Sequence, residues 1–177
     1  MDLLKFDLTA TGDTVTINDI EFPYTLNCTT ATTGAATLRS GSTTYATWTG
    51  GAISWMGGDN VAGNRSISVL GAESAIERGA GTSITTGFDN PLTIGAGDTK
   101  TLVLAGDTSG CTTTNQSFQV SLGPGKAGTR VLKTALTSGI KWQDSRMVSA
   151  GTTGIDDKRL TPTLDQNTQI SGPVFAK

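Results

Sequence analysis

Apolar and polar residues alternate along most of this chain. In "LLKFDLTA" Leu4, Phe6 and Leu8 occupy every second position, and in "TVTINDIEF" Val15 and Ile17 do the same. The apolar parity then switches across Asn18-Asp19, so that Ile20 and Phe22 continue in the opposite phase. A phase switch inside an apolar run predicts a β-bulge or a bend between two sheets. "ATLRSGSTTYATW" predicts a hairpin turning at Ser40-Gly41-Ser42, followed by strands at "AISWM" and "RSISVLG". In "PLTIGAGDTKTLVLAGDTSG" the even-numbered Leu92, Ile94, Leu102 and Leu104 flank a Gly95-Ala96-Gly97-Asp98 turn. This stretch reads as a second hairpin with its even positions facing a core. Further strands are expected at "TSITTGF", "QSFQVSL", "TRVLKTA" and "GIKWQDS". Period-two alternation of this kind gives a sheet one dry and one wet face.

About eleven short strands at spacings of roughly 8–15 residues predict an all-β chain, an antiparallel β-sandwich of jelly-roll-like character. The strongest helical signal, "GAESAIERGAG", allows barely two turns. At 177 residues the chain suits a single domain over 1–177. Residues 1–8 and about 160–177 are candidates for exchanged or extended terminal segments, because an edge strand offers unpaired N–H and C=O groups that a sandwich must cover or use. The tail carries Ile170, Val174 and Phe175, with Gly172-Pro173 interrupting the alternation.

Composition sharpens this picture. The chain has 32 Thr and 14 Ser, about a quarter of all residues, and 23 Gly. Threonine suits a half-exposed pleated surface, and glycine opens the corners between strands. Thirteen basic against fifteen acidic residues, without a charge run, argue against a nucleic-acid partner. No apolar run approaches the ~18 residues of a membrane span. The opening "MDLLKFDLTATGD" has acidic residues at positions 2 and 7 and does not read as a signal peptide, so a secreted form is expected to be a mature chain.

Catalytic chemistry finds little support. The chain has no histidine, the commonest general base and metal ligand, and no Gly-x-Ser-x-Gly pattern. The adjacent Asp156-Asp157 side chains diverge in an extended segment, which does not suit a paired-carboxylate site. "GPGKAG" (Gly123, Gly125, Gly128) matches dinucleotide-loop spacing, but no helix is expected after it and Pro124 lies inside; it reads as a hairpin loop. No cofactor is expected. Calcium is the one candidate, through the loops at 57–60, 88–91 and 154–159, whose Asp and Asn are also ordinary turn residues. Trp48, Trp55, Trp142, Tyr24 and Tyr45 are candidates for a glycan-stacking platform or, more simply, for core. Glycosylation sequons stand at Asn27, Asn64 and Asn115, where a chain this rich in Ser and Thr yields about two by chance.

Cys28 and Cys111, the only cysteines, both sit in polar, threonine-rich surroundings. In a secreted β-domain such a pair is expected to form a disulfide, whereas unpaired thiols more often have apolar, buried flanks.

The blocks "LLKFDLTATGDTVTINDIEF", "PLTIGAGDTKTLVLAGDTSG", "SFQVSLG" and "GIKWQDS" resemble, in that order, β-sandwich modules of large secreted surface proteins of uncultured small-genome bacteria. The resemblance spans most of residues 1–145 and carries no catalytic residue, while residues 146–177 depart from it. It implies an extracellular or cell-surface protein with a structural or adhesive role. Two classes of function follow. One is a structural subunit of a filament, pilus or surface layer, with further copies of itself as partner and β-strand addition as the joint. The other is an adhesive or carbohydrate-binding module with surface glycans as partner. For the first class, the expected contacts are Leu4, Phe6 and Leu8 at the start and Val174 and Phe175 at the end. Deleting residues 1–8 is then expected to leave a soluble, partly destabilised domain that no longer polymerises.

Overall fold

The computed structural model describes residues 1–27, 36–48, 65–70, 84–107, 114, 117–123, 140–144 and 170–176. They form β-strands and turns, with no helix among them. A four-stranded sheet has the order β1-β8-β3-β4, where β1 is Asp2–Thr9, β8 Thr99–Gly106, β3 Ala36–Ser40 and β4 Thr43–Trp48. The larger sheet is organised on the long strand β2 (Val15–Asn27), in the order β11-β9-β2-β5-β6. Here β5 is Arg65–Leu70, β6 Ile84–Thr86, β9 Ser117–Leu122 and β11 Ile170–Ser171. β7 (Leu92–Ile94) and β10 (Ile140–Asp144) also pair with β2, and β12 (Phe175–Ala176) pairs with β9.

The two sheets share one hydrophobic cluster, to which both contribute the apolar members of their alternating patterns. Leu102, Leu104 and Leu38 from the smaller sheet and Ile20, Phe22, Ile67 and Val120 from the larger are fully buried. The rings of Phe6 and Phe22 meet between the sheets, 5.9 Å apart and tilted by 57°. Such tilted pairs add to the area term that drives burial.

Bulges adjust the period-two pattern to this core. β2 carries an extra residue, Asn18, because Lys141 pairs with Asp19 and Trp142 with Ile17. The expected phase switch is therefore a bulge, and it keeps Ile17 and Ile20 both buried. Two other bulges lie where the sequence shows adjacent apolar residues. One leaves Leu3 between the paired Asp2 and Leu4, so that Leu3 and Leu4 are both buried. The other leaves Tyr45 unpaired between Thr44 and Ala46, and buries Tyr45 beside Ala46. The β3–β4 hairpin turns through Gly41 with φ of 55°, as its sequence predicts.

Two expectations need correction. β7 and β8 do not form a hairpin: β7 pairs with β2 in the larger sheet, whereas β8 lies between β1 and β3. The turn between them crosses from one sheet to the other, closed by a bond from the Asp98 N–H to the Gly95 carbonyl (3.0 Å). Gly97 takes φ of 80° there, a left-handed backbone that glycine adopts without a Cβ penalty. Leu92, Ile94, Leu102 and Leu104 are all buried as expected, since a crossing turn and a hairpin aim them at the same core. Pairing is also not antiparallel throughout, because β5 and β6 run parallel. Residues 71–83 between them are long enough for the crossover that a parallel pair needs. They include the short helical signal, which lies outside the described residues, as do "AISWM", "TRVLKTA" and most of "GPGKAG".

The end of the chain runs antiparallel along β9. Ile170 and Ser171 pair with Leu122 and Ser121, and Phe175 and Ala176 pair with Phe118 and Ser117. Residues 172–174 therefore oppose only Gln119 and Val120, a bulge that accommodates Pro173. Gly172 anchors this segment, donating to the Val120 carbonyl (2.8 Å) and accepting from Gln119 Nε2 (2.8 Å). A Cβ there would lie 2.7 Å from the Val120 oxygen and 2.9 Å from the Leu3 oxygen, both backbone atoms. Gly172→Ala is therefore expected to cost about 1–3 kcal/mol through forced backbone shifts, read as a lower urea midpoint with earlier proteolysis of the tail.

Candidate functional site

The edges of the four-stranded sheet are treated very differently by the rest of the molecule. At the β4 edge, the last residue of β6 and the segment after it supply a strap of hydrogen bonds. The Asp89 N–H donates to the Tyr45 carbonyl (2.8 Å), Asn90 Nδ2 to the Thr44 carbonyl (2.7 Å) and Thr86 Oγ1 to the Thr47 carbonyl (2.8 Å). Thr47 Oγ1 in turn donates to Asp89 Oδ2 (2.7 Å). Asp and Asn of the 88–91 loop thus cover a sheet edge. The candidate calcium loops at 57–60 and 154–159 lie outside the described residues.

At the other edge, β1 pairs with β8 and with no other strand among the described residues. Ala10 N–H donates to the Asp98 carbonyl (3.1 Å), which sets the phase of the antiparallel ladder. Bonded pairs alternate, so Leu8, Phe6 and Leu4 exchange bonds with Lys100, Leu102 and Leu104. Lys5, Asp7 and Thr9 occupy the intervening pairs, and their backbone N–H and C=O groups point away from β8. Close side-chain contacts fit this phase: Thr9 and Thr99 hydroxyls are 2.8 Å apart, and Thr101 Oγ1 donates to Asp7 Oδ1. No described strand or loop covers the outward groups of Lys5, Asp7 and Thr9. The Lys5 and Asp7 side chains are exposed.

The residues expected to reach a neighbour are placed differently from one another. Leu4 and Phe6 are buried in the molecule's own core, and Leu8 packs partly buried against it. Phe175 also packs against that core, whereas Val174 is 59% exposed. What β1 offers outward is consequently its backbone edge and its polar face. Among the aromatics, Tyr24, Tyr45 and Trp48 are buried core residues, and the Tyr45 hydroxyl accepts a bond from Lys100 Nζ (2.8 Å). Trp142 packs half-buried against the core, and Trp55 lies outside the described residues. Cys28, Cys111, Asn64 and Asn115 also lie outside them. Asn27, the last residue of β2, is the register partner of Ser117, the first of β9.

Asp19, Glu21 and Ser121 were not singled out by their sequence positions, yet all three are buried. After the Asn18 bulge, Asp19 and Glu21 alternate with the core residues Ile20 and Phe22, on the opposite face of β2. Alternation marks them as outward, but it carries no signal that this part of the face is covered. Among the described residues, no three His, Cys, Asp or Glu side chains converge on a possible metal position, and no helix is long and apolar enough to cross a membrane. No family model matches the chain, and no curated protein or solved structure matches it.

Proposed function

We propose that this protein is a structural subunit of an extracellular filament, pilus or surface layer, folded as a mainly antiparallel β-sandwich of jelly-roll character, whose copies join by β-strand addition. The observation that carries this reading is the contrast between the edges of the four-stranded sheet: β4 is strapped over by residues 86–90, and β1 is left uncovered by any of the described residues. Strand addition to such an edge gives affinity through main-chain hydrogen bonds. The resemblance to secreted surface modules supports the extracellular setting. A glycan platform is less well supported, since Tyr24, Tyr45 and Trp48 are in the core. Negative-stain microscopy of the concentrated, purified chain tests the reading. Filaments or ordered layers are expected, and a monodisperse monomer at every concentration contradicts it.

The oxidising compartment has its own test. A Cys28–Cys111 bond closes a long loop and is expected to contribute on the order of 4 kcal/mol. Intact-mass analysis under denaturing, non-reducing conditions should show no alkylation until reductant is added. Immediate labelling of both thiols contradicts the bond.

A further inference from the structure

We infer that two copies of the chain join their β1 edges antiparallel about a two-fold axis through Phe6, making one continuous sheet of the two four-stranded sheets. This deepens the strand-addition reading by naming the edge, the occupant and the register. The ladder phase leaves Lys5, Asp7 and Thr9 with outward backbone groups, so only registers that pair odd residues with odd residues bond correctly. Three such registers bring the middle of the strand together. Centring on Lys5 sets lysine against lysine, and centring on Asp7 sets aspartate against aspartate. Centring on Phe6 sets Lys5 of each copy opposite Asp7 of the other. Like charges directly opposite destabilise a pair of strands, and opposite charges stabilise it. The charge pattern therefore selects one register of the three.

The remaining charge on the strand is already engaged, since Asp2 accepts from Arg39 of β3 at 2.8 Å. Lys5 has no ionic partner among the described residues, and Asp7 uses one carboxylate oxygen on Thr101. In the Phe6-centred register both Lys5–Asp7 pairs fall at bonded positions, each exchanging two main-chain hydrogen bonds. The Leu3 bulge limits the match to the middle of the strand and discourages pairing with unrelated flat edges. A two-fold contact by itself closes a pair. The pair is then the repeating unit of any filament or layer, and a second self-contact elsewhere propagates it.

Charge exchange tests the register. Lys5→Asp and Asp7→Lys are each expected to weaken self-association roughly 10- to 100-fold in sedimentation equilibrium, because each variant places like charges opposite. An equimolar mixture of the two variants should recover association as a mixed pair, detected by native mass spectrometry, since every opposed position is again complementary. The double variant Lys5→Asp/Asp7→Lys should also self-associate, and circular dichroism and urea midpoints identify any variant that has merely lost its fold. Variants that associate like the parent, or folded single variants whose mixture stays monomeric, overturn the two-fold register. If filaments of the parent persist alongside such a result, the structural-subunit reading survives with a different joint. If the parent forms pairs that never extend, the register holds and the polymer reading fails.

Discussion

Removing residues 1–8 is expected to abolish folding, a larger effect than the partial destabilisation that the sequence pattern suggests. Leu3, Leu4 and Phe6 are at most 8% exposed, and Phe6 meets Phe22 across the core. Burying three such side chains contributes roughly 5–9 kcal/mol, against a total stability of about 5–15 kcal/mol for a typical domain. The deletion would also uncover the whole β8 edge, which has high β-propensity and no strap. The truncated chain should collect in the insoluble fraction, and any soluble part should lack a cooperative urea transition. A soluble, cooperatively folding truncation would show that β1 is an appendage. Loss of polymer after this deletion would therefore say nothing about assembly, and the charge exchanges within an intact β1 are the informative variants.

Phe22→Ala is expected to cost about 3–5 kcal/mol, the range for emptying a large, fully buried aromatic site. Phe22 is 0% exposed at the centre of β2, where its register partner Ile67 is fully buried too. The neighbours are strands held by their own ladders, so they have little freedom to collapse into the cavity. The urea midpoint should fall with an unchanged slope, as for a mutation that alters stability alone. A loss below about 1 kcal/mol would mean that the two sheets do not meet over this ring.

Much of the fold was legible because burial follows period two in sheets with one dry face. The strands at Leu4–Leu8, Leu102–Leu104 and Phe118–Leu122 could be read directly. The phase switch at Asn18-Asp19 was legible as a bulge or a bend, because separated apolar residues change phase there around polar ones, and the pairing makes it a bulge. The bulges at Leu3 and Tyr45 were hidden, because Leu3-Leu4 and Tyr45-Ala46 are adjacent apolar residues and either member satisfies the alternation. The β7–β8 connection was misread for a related reason. Side-chain parity records which residues face the core, and it is the same whether a turn stays within one sheet or crosses to the other. Edge exposure is a property of neighbours rather than of the strand. The strap from Asp89 and Asn90 could not be distinguished from an ordinary turn, and the Leu4-Phe6-Leu8 pattern is the same whether β1 closes its own sheet or reaches a neighbour's.

Assembly through the β1 edge is tested most directly by residue-resolved amide hydrogen exchange on the monomer and on the assembled protein. In the monomer, Phe6 and Leu8 should exchange slowly because their N–H groups bond β8. Lys5, Asp7 and Thr9 should exchange fast because theirs face outward. On assembly, Lys5 and Asp7 should become as protected as Phe6, with little change at residues 44–47 under the β4 strap. Lys5 and Asp7 amides that stay fast in the assembled protein, or that are already slow in the monomer, would contradict assembly through this edge.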